Sequence, residues 1–144
     1  MNISSTEFNN NESIPVKFTC QGDNINPRIE ISGVPDDAKS LALIMDDPDA
    51  PVGTFTHWLI WNIDPKTAVM AENSVPGIQG KNSAGSLKYI GPCPPSGVHR
   101  YFFRLYALDS MLDLSAGTER EQLELQMSKH ILERTEFIGT YKKI

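Results

Sequence analysis

The chain has only two cysteines, no long apolar run and no cluster of basic residues, and each shortage excludes a class of protein. Cys20 and Cys93 are too few for the disulfide framework of a small secreted domain. They also lie too far apart in sequence to form a Cys-X-X-Cys metal clip. We therefore expect free thiols as the default, although a single bridge between the two cysteines stays open.

The longest uncharged apolar runs, such as residues 40–45 and 55–63, are much shorter than the roughly 20 residues that a membrane-spanning helix needs. The N-terminus also lacks a basic segment followed by an apolar one, which is the pattern of a secretory signal. These two features predict a cytoplasmic protein without integral membrane association.

Positive charge is scarce as well. The chain has 13 Lys and Arg against 18 Asp and Glu, which gives a formal net charge of -5, and the basic residues form no stripe. Nucleic acids and anionic membrane surfaces both bind clustered Lys and Arg, so we expect neither as a partner. A length of 144 residues without an internal repeat predicts a single domain over residues 1–144.

The most informative stretch is a rigid loop that runs directly into an aromatic strand, over residues 91–105. The loop contains three prolines, which fix φ and remove three backbone donors, so few conformations are available to it. Strand alternation then predicts that His99 and Tyr101 point to the same side, at the edge of whatever the loop encloses. The alternative is a loop that only connects strands, with a structural histidine at the strand start.

A group of three carboxylates follows the apolar run at residues 40–45. Asp46, Asp47 and Asp49 lie within four residues of one another. Carboxylates this close raise one another's pKa unless backbone N–H groups or cations hold them, so the group either shares protons or faces a positive partner. The alternative is that Asp-Pro-Asp serves only as a turn former.

The remaining pattern is mostly that of short strands. A histidine again begins an apolar strand at residues 57–63, where alternation predicts one face made of His57, Leu59, Trp61 and Ile63. Further strands are predicted over residues 14–20, 28–32, 40–45 and 131–141, with Gly139 as a candidate bulge. The pattern therefore predicts a mostly β, largely antiparallel architecture.

One helix is predicted near the C-terminus, over about residues 119–129. Thr118 is a suitable N-cap, and Glu121 lies three residues on, as in a capping box. Leu123, Met127 and Ile131 recur at helical spacing and are expected to form its buried stripe.

Two blocks of sequence carry a family resemblance: Asp47-Pro-Asp-Ala-Pro51 followed by His57-Trp, and Gly91-Pro-Cys-Pro-Pro-Ser-Gly-Val-His-Arg-Tyr101 followed by Phe-Phe-Arg-Leu-Tyr-Ala-Leu108. They resemble the signature blocks of the phosphatidylethanolamine-binding protein family, which includes the Raf kinase inhibitor proteins. Residues 20–24, 32–35 and 137–141 also resemble the compact bacterial and archaeal branch. The resemblance implies a central antiparallel sheet packed on a smaller one, with a shallow anion pocket at one end.

Carried over residue by residue, the resemblance implies a ligand-binding site made of Asp47, Asp49, Pro51, His57, Gly91, Pro92, Pro94, His99 and Tyr101. It also implies one or more cis peptide bonds before pocket prolines, with Asp47–Pro48 and Cys93–Pro94 as the candidates. Members of the compact branch often form homodimers, so a homodimer is implied as well.

These residues predict a binding protein for phosphate or a phosphorylethanolamine-like head group. A protonated histidine, the Tyr101 hydroxyl and loop N–H groups would hold the anion, while Asp47 and Asp49 would hold an ammonium group or the imidazolium itself. Catalysis, a cofactor and a metal are not expected, because no Ser or Cys nucleophile lies in a recognisable elbow and no clear metal-ligand spacing occurs.

The alternative function is a protein-interaction module that inhibits a kinase or protease through the same pocket or its rim. The link from Pro51 to His57 is shorter than in the animal members of the family, and no additional helical segment follows the C-terminal helix. Both departures argue against kinase regulation.

Overall fold

A computed structural model describes residues 1–144, with nine β-strands, one α-helix and one short 3-10 helix. The strands are β1 (Asn2–Ser4), β2 (Glu12–Ser13), β3 (Ile29–Ser32), β4 (Ser40–Asp47), β5 (Phe55–Ile63), β6 (Val69–Met70), β7 (Ile78–Gln79), β8 (His99–Leu108) and β9 (Ile131–Tyr141). The 3-10 helix spans Val16–Phe18, and helix α1 spans Arg120–Met127. The single α-helix has eight residues, and no helix of the structure is long enough to cross a bilayer.

The strands form a six-stranded sheet in the order β2-β9-β8-β4-β5-β7 and a three-stranded sheet in the order β1-β3-β6. Every strand pair is antiparallel except the short parallel pairing of β2 with β9. A core of 21 buried residues, drawn from both sheets, lies between them. The predicted mostly β fold, with a central antiparallel sheet on a smaller one and a C-terminal helix, is confirmed.

Strand β4 lies at the centre of the larger sheet and is buried on both faces, as its apolar run predicts. Leu41, Leu43 and Met45 face the larger core, whereas Ala42 and Ile44 face a second cluster of eight residues beneath α1. Full burial of such a side chain contributes about 1.5–3 kcal/mol. Because the alternation continues to the end of the strand, its two final aspartates point to opposite faces.

The predicted common face of β5 is wrong. Leu59 and Trp61 pack beneath α1, whereas Ile63 lies in the larger core on the other side of the sheet. The pairing with β4 shifts register near each end of β5, and at the C-terminal end Asn62 adopts a left-handed φ of 54°. A β-bulge adds one residue and reverses the alternation beyond it, so His57 turns to the side of the larger core.

Helix α1 is shorter than predicted and begins without the expected capping box. Its N-cap is Glu119, which makes no side-chain cap hydrogen bond, while the Thr118 hydroxyl donates to a backbone carbonyl three residues earlier. Leu123 and Met127 are buried as predicted. Ile131 is exposed because the helix ends at residue 127 and Ile131 begins β9.

The N-terminal segment differs from the predicted strand over residues 14–20. Pro15 lacks an N–H group for a ladder, and the chain turns into the 3-10 helix immediately after it. Gly139 is not a bulge, because it pairs in register with Tyr101. A Cβ atom at Gly139 would lie 2.4 Å from Cγ1 of Ile14, so glycine allows the N-terminal segment to approach β9 closely.

Cys20 and Cys93 form a disulfide, so the expectation of free thiols is wrong. Their sequence separation of 73 conceals the pairing in the sequence. In the fold, residues 18–24, which we call the anchor segment, pack against residues 91–95 of the proline-rich loop. The Cys20 N–H group donates to the Pro92 carbonyl at 3.1 Å beside the bridge.

Every peptide bond is trans, so the expected cis bonds before Pro48 and Pro94 are not found. The trans form of an X–Pro bond is favoured by about 0.5–1 kcal/mol in the absence of a contact that selects cis. The turn at Pro48 is closed instead by the Asp49 N–H group, which donates to Oδ1 of Asp47 at 2.8 Å.

Replacing both cysteines with serine is expected to lower the free energy of unfolding by roughly 4 kcal/mol, because the bridge closes a loop of 73 residues in the unfolded chain. Urea unfolding followed by tryptophan fluorescence measures this difference. The reduced wild-type protein should unfold at the same urea concentration as the double variant. A loss below about 1 kcal/mol would contradict the expected contribution of the bridge.

Candidate functional site

One end of the larger sheet holds a cavity of about 170 Å³, where β4 ends and where β5 and β8 begin. Seven of the nine predicted site residues line it: Asp47, Pro51, His57, Gly91, Pro94, His99 and Tyr101. Asp49 and Pro92 do not line it. Five further lining residues were not predicted: Ala50, Phe55, Ile90, Cys93 and Pro95. Four of these five are sequence neighbours of predicted residues, which is the signal that could have found them.

A buried bond between Asp47 and His99 lies at the base of the cavity. The two side chains are 5% and 9% exposed, and Nδ1 of His99 lies 2.7 Å from Oδ2 of Asp47. A carboxylate only accepts, so Nδ1 donates. The other oxygen of Asp47 accepts the N–H group of Asp49. The carboxylate is therefore fully engaged, and Nε2 of His99 is the ring nitrogen left for a ligand.

His57 is oriented in the same way by a backbone carbonyl. Its Nδ1 lies 2.7 Å from the oxygen of Ile90, and a carbonyl only accepts, so Nδ1 carries the proton. Burial is the main influence on the ring and lowers the pKa of His57 below its usual value of 6.5. At neutral pH the ring is therefore uncharged, and Nε2 is an acceptor.

Tyr101 supplies a buried hydroxyl that has no hydrogen-bond partner in the protein. Asp47 and the backbone of Cys93 lie near it without hydrogen-bond geometry. Burial, assisted by the charge of Asp47, raises the pKa of Tyr101, so the hydroxyl keeps its proton. An unsatisfied buried hydroxyl costs about 1–3 kcal/mol, which a ligand oxygen in the cavity would offset.

The carboxylate beside Asp47 in sequence serves a different purpose. Asp46 points to the opposite face of the sheet and is 1% exposed. Arg104 donates to both of its oxygens at 2.9 and 3.2 Å, and Arg120 of α1 lies 2.8 Å from Oδ2. Asp46 therefore joins the helix to the sheet and lies outside the cavity.

The third carboxylate fastens the rim of the cavity. Arg100 donates to Asp49 through Nε and Nη2 at 2.9 Å each and through its backbone N–H group at 3.0 Å. This interaction lowers the pKa of Asp49 to about 2. Neighbouring residues of β8, His99 and Arg100, thus hold the two aspartates of the Asp47-Pro-Asp49 turn. Each of these carboxylates is thus bound by a nitrogen donor of β8, which is a guanidinium for Asp49 and an imidazole for Asp47.

The residues at 91–95, which we call the cavity wall, lie so close to the anchor segment that only glycine fits at the contact. A Cβ atom at Gly91 would lie 2.2 Å from the carbonyl oxygen of Phe18. The Gly91 N–H group donates to Oδ1 of Asn24 at 2.8 Å, and the Tyr89 hydroxyl donates to the same Phe18 oxygen at 2.7 Å. The cavity wall is therefore positioned by residues about 70 positions earlier in the chain.

No group of three or more His, Cys, Asp and Glu side chains is arranged to hold a metal ion. The only hydroxyl that lines the cavity is that of Tyr101, and the sulfur of Cys93 is held in the disulfide.

The chain matches one known protein family over nearly its whole length. A family model described as phosphatidylethanolamine-binding protein matches residues 4–142. The chain belongs to the phosphatidylethanolamine-binding protein family. This confirms the resemblance seen in the two sequence blocks. Membership of the family supports a role as a binding protein.

Relatives place the chain among the bacterial and archaeal members of the family. A UPF0098 protein of Methanothermobacter thermautotrophicus is 50% identical, with 99% of each chain covered. The crystal structure of a phosphatidylethanolamine-binding protein homologue from Chlamydia trachomatis is 41% identical, with a TM-score of 0.96 and 99% and 97% of the two chains covered. Escherichia coli YbcL, at 24% identity and a TM-score of 0.91 over 99% and 98% of the chains, shares the fold.

Replacing Asp46 with alanine is expected to lower the free energy of unfolding by about 3 kcal/mol, because two arginines lose a buried partner. The matched control is Asp109→Ala, which breaks an exposed pair with His130 and should cost less than about 1 kcal/mol. Urea unfolding of both variants measures the difference. Equal losses would contradict the structural role assigned to Asp46.

The carboxyl group of Asp49 is expected to titrate at a pKa of about 2. In Arg100→Gln the pKa should rise towards its usual value, because the guanidinium bonds are lost. Since the folded-state pKa is depressed, the stabilisation is present above the unfolded-state pKa of about 3.9 and is lost as pH falls through about 2. Carbon-13 carboxyl shifts measure both titrations, and an unchanged pKa in Arg100→Gln would contradict the assignment.

Proposed function

We propose that this protein binds a small anionic group, such as a phosphate or the phosphate of a zwitterionic head group, in the cavity beside Asp47 and His99. The observation that carries the proposal is the convergence of three ligand-facing groups on one cavity. They are the unpartnered Tyr101 hydroxyl and the Nε2 atoms of His57 and His99, each left over when Nδ1 is bonded elsewhere.

The size of the cavity favours a head group over a whole lipid. Its volume of about 170 Å³ corresponds to roughly six water molecules at about 30 Å³ each. Pockets that enclose drug-sized molecules are larger, at about 300–1,000 Å³. A phosphate with its first substituent atoms fits this volume, and the rest of a larger ligand would lie outside.

The charges of the site favour an anion that binds when His99 carries a second proton. Asp47 repels a phosphate unless His99 is protonated, because the imidazolium then neutralises the carboxylate. Asp47 is hydrogen-bonded to His99 and Asp49 to Arg100, so neither is free to bind an ammonium group. We therefore place the anion in the cavity and the ammonium group of a zwitterion at its open mouth, which revises the role first expected for the two aspartates.

We infer binding without chemistry. The Asp47–His99 pair has the geometry of a general base, but the cavity offers no serine, threonine or free thiol for it to activate. Because the pKa of Tyr101 is raised, its hydroxyl keeps its proton and serves as a hydrogen-bond donor, whereas a nucleophile would have to lose that proton.

Titration with inorganic phosphate and with phosphorylethanolamine tests the proposal. The chain has three histidines, so proton-carbon NMR can follow all of them at once. We expect the signals of His57 and His99 to shift together while that of His130, an exposed histidine with its own 2.7 Å aspartate contact, stays in place. The two ligands should bind with similar affinity, because both present the same anion to the cavity.

Replacing His99 with glutamine should weaken phosphate binding by roughly 10- to 100-fold, as expected for the loss of a hydrogen bond to a charged group. His130→Gln is the matched control and should leave the affinity unchanged. If neither His57 nor His99 responds to either ligand, the proposal fails. The alternative of a protein-interaction module would then be tested by a pull-down in excess phosphorylethanolamine.

Anion affinity is expected to fall as pH rises. Sulfate is the better probe because its own charge stays constant, whereas a phosphomonoester loses a proton near pH 6. Because the pKa of His57 in the folded protein is lowered below 6.5, the ring is neutral above pH 6.5. Its positive charge therefore assists anion binding only at more acid pH. Calorimetric titration with sulfate between about pH 5.5 and 8 measures the trend, and a constant affinity would contradict it.

A further inference from the structure

The C-terminal part of the cavity wall is cross-linked to the anchor segment by the disulfide. No backbone group of residues 93–98 takes part in a hydrogen bond. Three prolines in the loop remove donors that could have made such bonds. The hydrogen bonds of the cavity wall end at Pro92, whose carbonyl accepts from Cys20. Beyond that point, the bond between Cys93 and Cys20 is the only covalent tie between the cavity wall and the anchor segment.

The same disulfide can be reached from solvent. Both cysteines are exposed, although their neighbours Thr19, Pro92 and Pro94 are buried. Cys93 also lines the cavity, next to Pro94 and Pro95. A structural bridge is usually sequestered, and an exposed one is open to attack by a thiolate. The disulfide that cross-links the cavity wall is thus also accessible to a reductant in solution.

We propose that the Cys20–Cys93 disulfide is a thiol–disulfide exchange site for a dithiol reductant, and that its reduction loosens the cavity wall. A thiolate of the reductant attacks one cysteine sulfur, forms a mixed disulfide and releases the other cysteine as a thiolate. The second thiol of the reductant then displaces the first cysteine. The protein gains two electrons and two protons, and the reductant leaves as a disulfide.

Loosening follows from what remains after reduction. Two hydrogen bonds still join the anchor segment to the cavity wall, from the amides of Cys20 and Gly91, and both lie on the N-terminal side of Cys93. Pro94 and Pro95 then lose their cross-link to the anchor segment, and the two amide hydrogen bonds open more often because the bridge no longer holds them closed. The consequence for ligand affinity rests on the proposed function, whereas the exchange reaction and the loosening of the wall do not.

The first measurement is reduction of the native protein by millimolar dithiothreitol without denaturant, with the free thiols trapped by N-ethylmaleimide and counted by mass. We expect two adducts within about an hour, in the range of thiol–disulfide exchange. A bridge that resists reduction until denaturant is added would overturn the exchange site.

The second measurement is amide hydrogen exchange on the oxidised and reduced forms, which requires no ligand. The amides of Gly91 and Cys20 should exchange at least about tenfold faster after reduction, while that of Leu43 in the buried centre of β4 should not change. Unchanged exchange at Gly91 and Cys20 would overturn the loosening. The variant with both cysteines replaced by serine should reproduce the reduced form, and if it does not fold, reduction of the wild type still decides the question.

The third measurement is sulfate affinity, which should be at least about fivefold weaker in the reduced protein and should recover after oxidation by oxidised glutathione. Equal affinity of the two forms would overturn the link between the disulfide and the ligand. If the oxidised protein binds no anion at all, the proposed function fails, and the first two measurements still decide whether the bridge is an exchange site that controls the wall.

Discussion

The bond between Asp47 and His99 is the interaction on which the candidate site depends. It joins the last residue of β4 to the first residue of β8, and it buries a carboxylate that would otherwise repel any anion. Burying such a charge is costly unless it is paired, so the contact also sets the orientation of the imidazole. With Nδ1 committed to Asp47, His99 can offer only Nε2 to the cavity.

The aspartates around this bond show how one short segment can serve three purposes. Asp46 and Asp47 are adjacent in a strand, so the pleat sends their side chains to opposite faces of the sheet. Asp46 meets the arginines that hold α1 in place, Asp47 meets His99, and Asp49 meets Arg100 at the rim. Like charges that would destabilise one another are thereby separated, and each carboxylate has its own nitrogen donor.

The opposite side of the cavity is built by a different kind of constraint. The cavity wall has few hydrogen bonds of its own, and it takes its position from the anchor segment through Gly91, the disulfide and two hydrogen bonds donated by backbone amides. One side of the site is therefore fixed by buried electrostatics within the sheet, and the other by contacts between distant segments. The first is insensitive to redox conditions, while the second contains the only bond in the protein that a thiol can break.

Several features could be predicted from local pattern because they depend on few neighbours. The apolar run of β4, the alternation of His99, Tyr101 and Phe103 in β8, and the stripe of Leu123 and Met127 in α1 all follow from strand or helix periodicity. The two signature blocks likewise marked most of the residues that line the cavity. The missing capping box of α1 shows the limit of such signals, because the Thr118 hydroxyl donates instead to the carbonyl oxygen of Ser115.

Other features were decided only by the tertiary structure, because they arise where two segments meet. The bulges of β5 depend on its pairing with β4 and turn His57 towards the cavity, which alternation within one strand cannot show. The partners of Asp46 and Asp49 come from β8 and α1, and the partner of Cys93 lies 73 residues away. The sequence by itself determined the family, the longer strands and most of the cavity lining, because those follow from local periodicity and motif. The pairing of charges, the bridge and the direction of each side chain at a bulge required the fold, because each is a contact between residues that the sequence keeps apart.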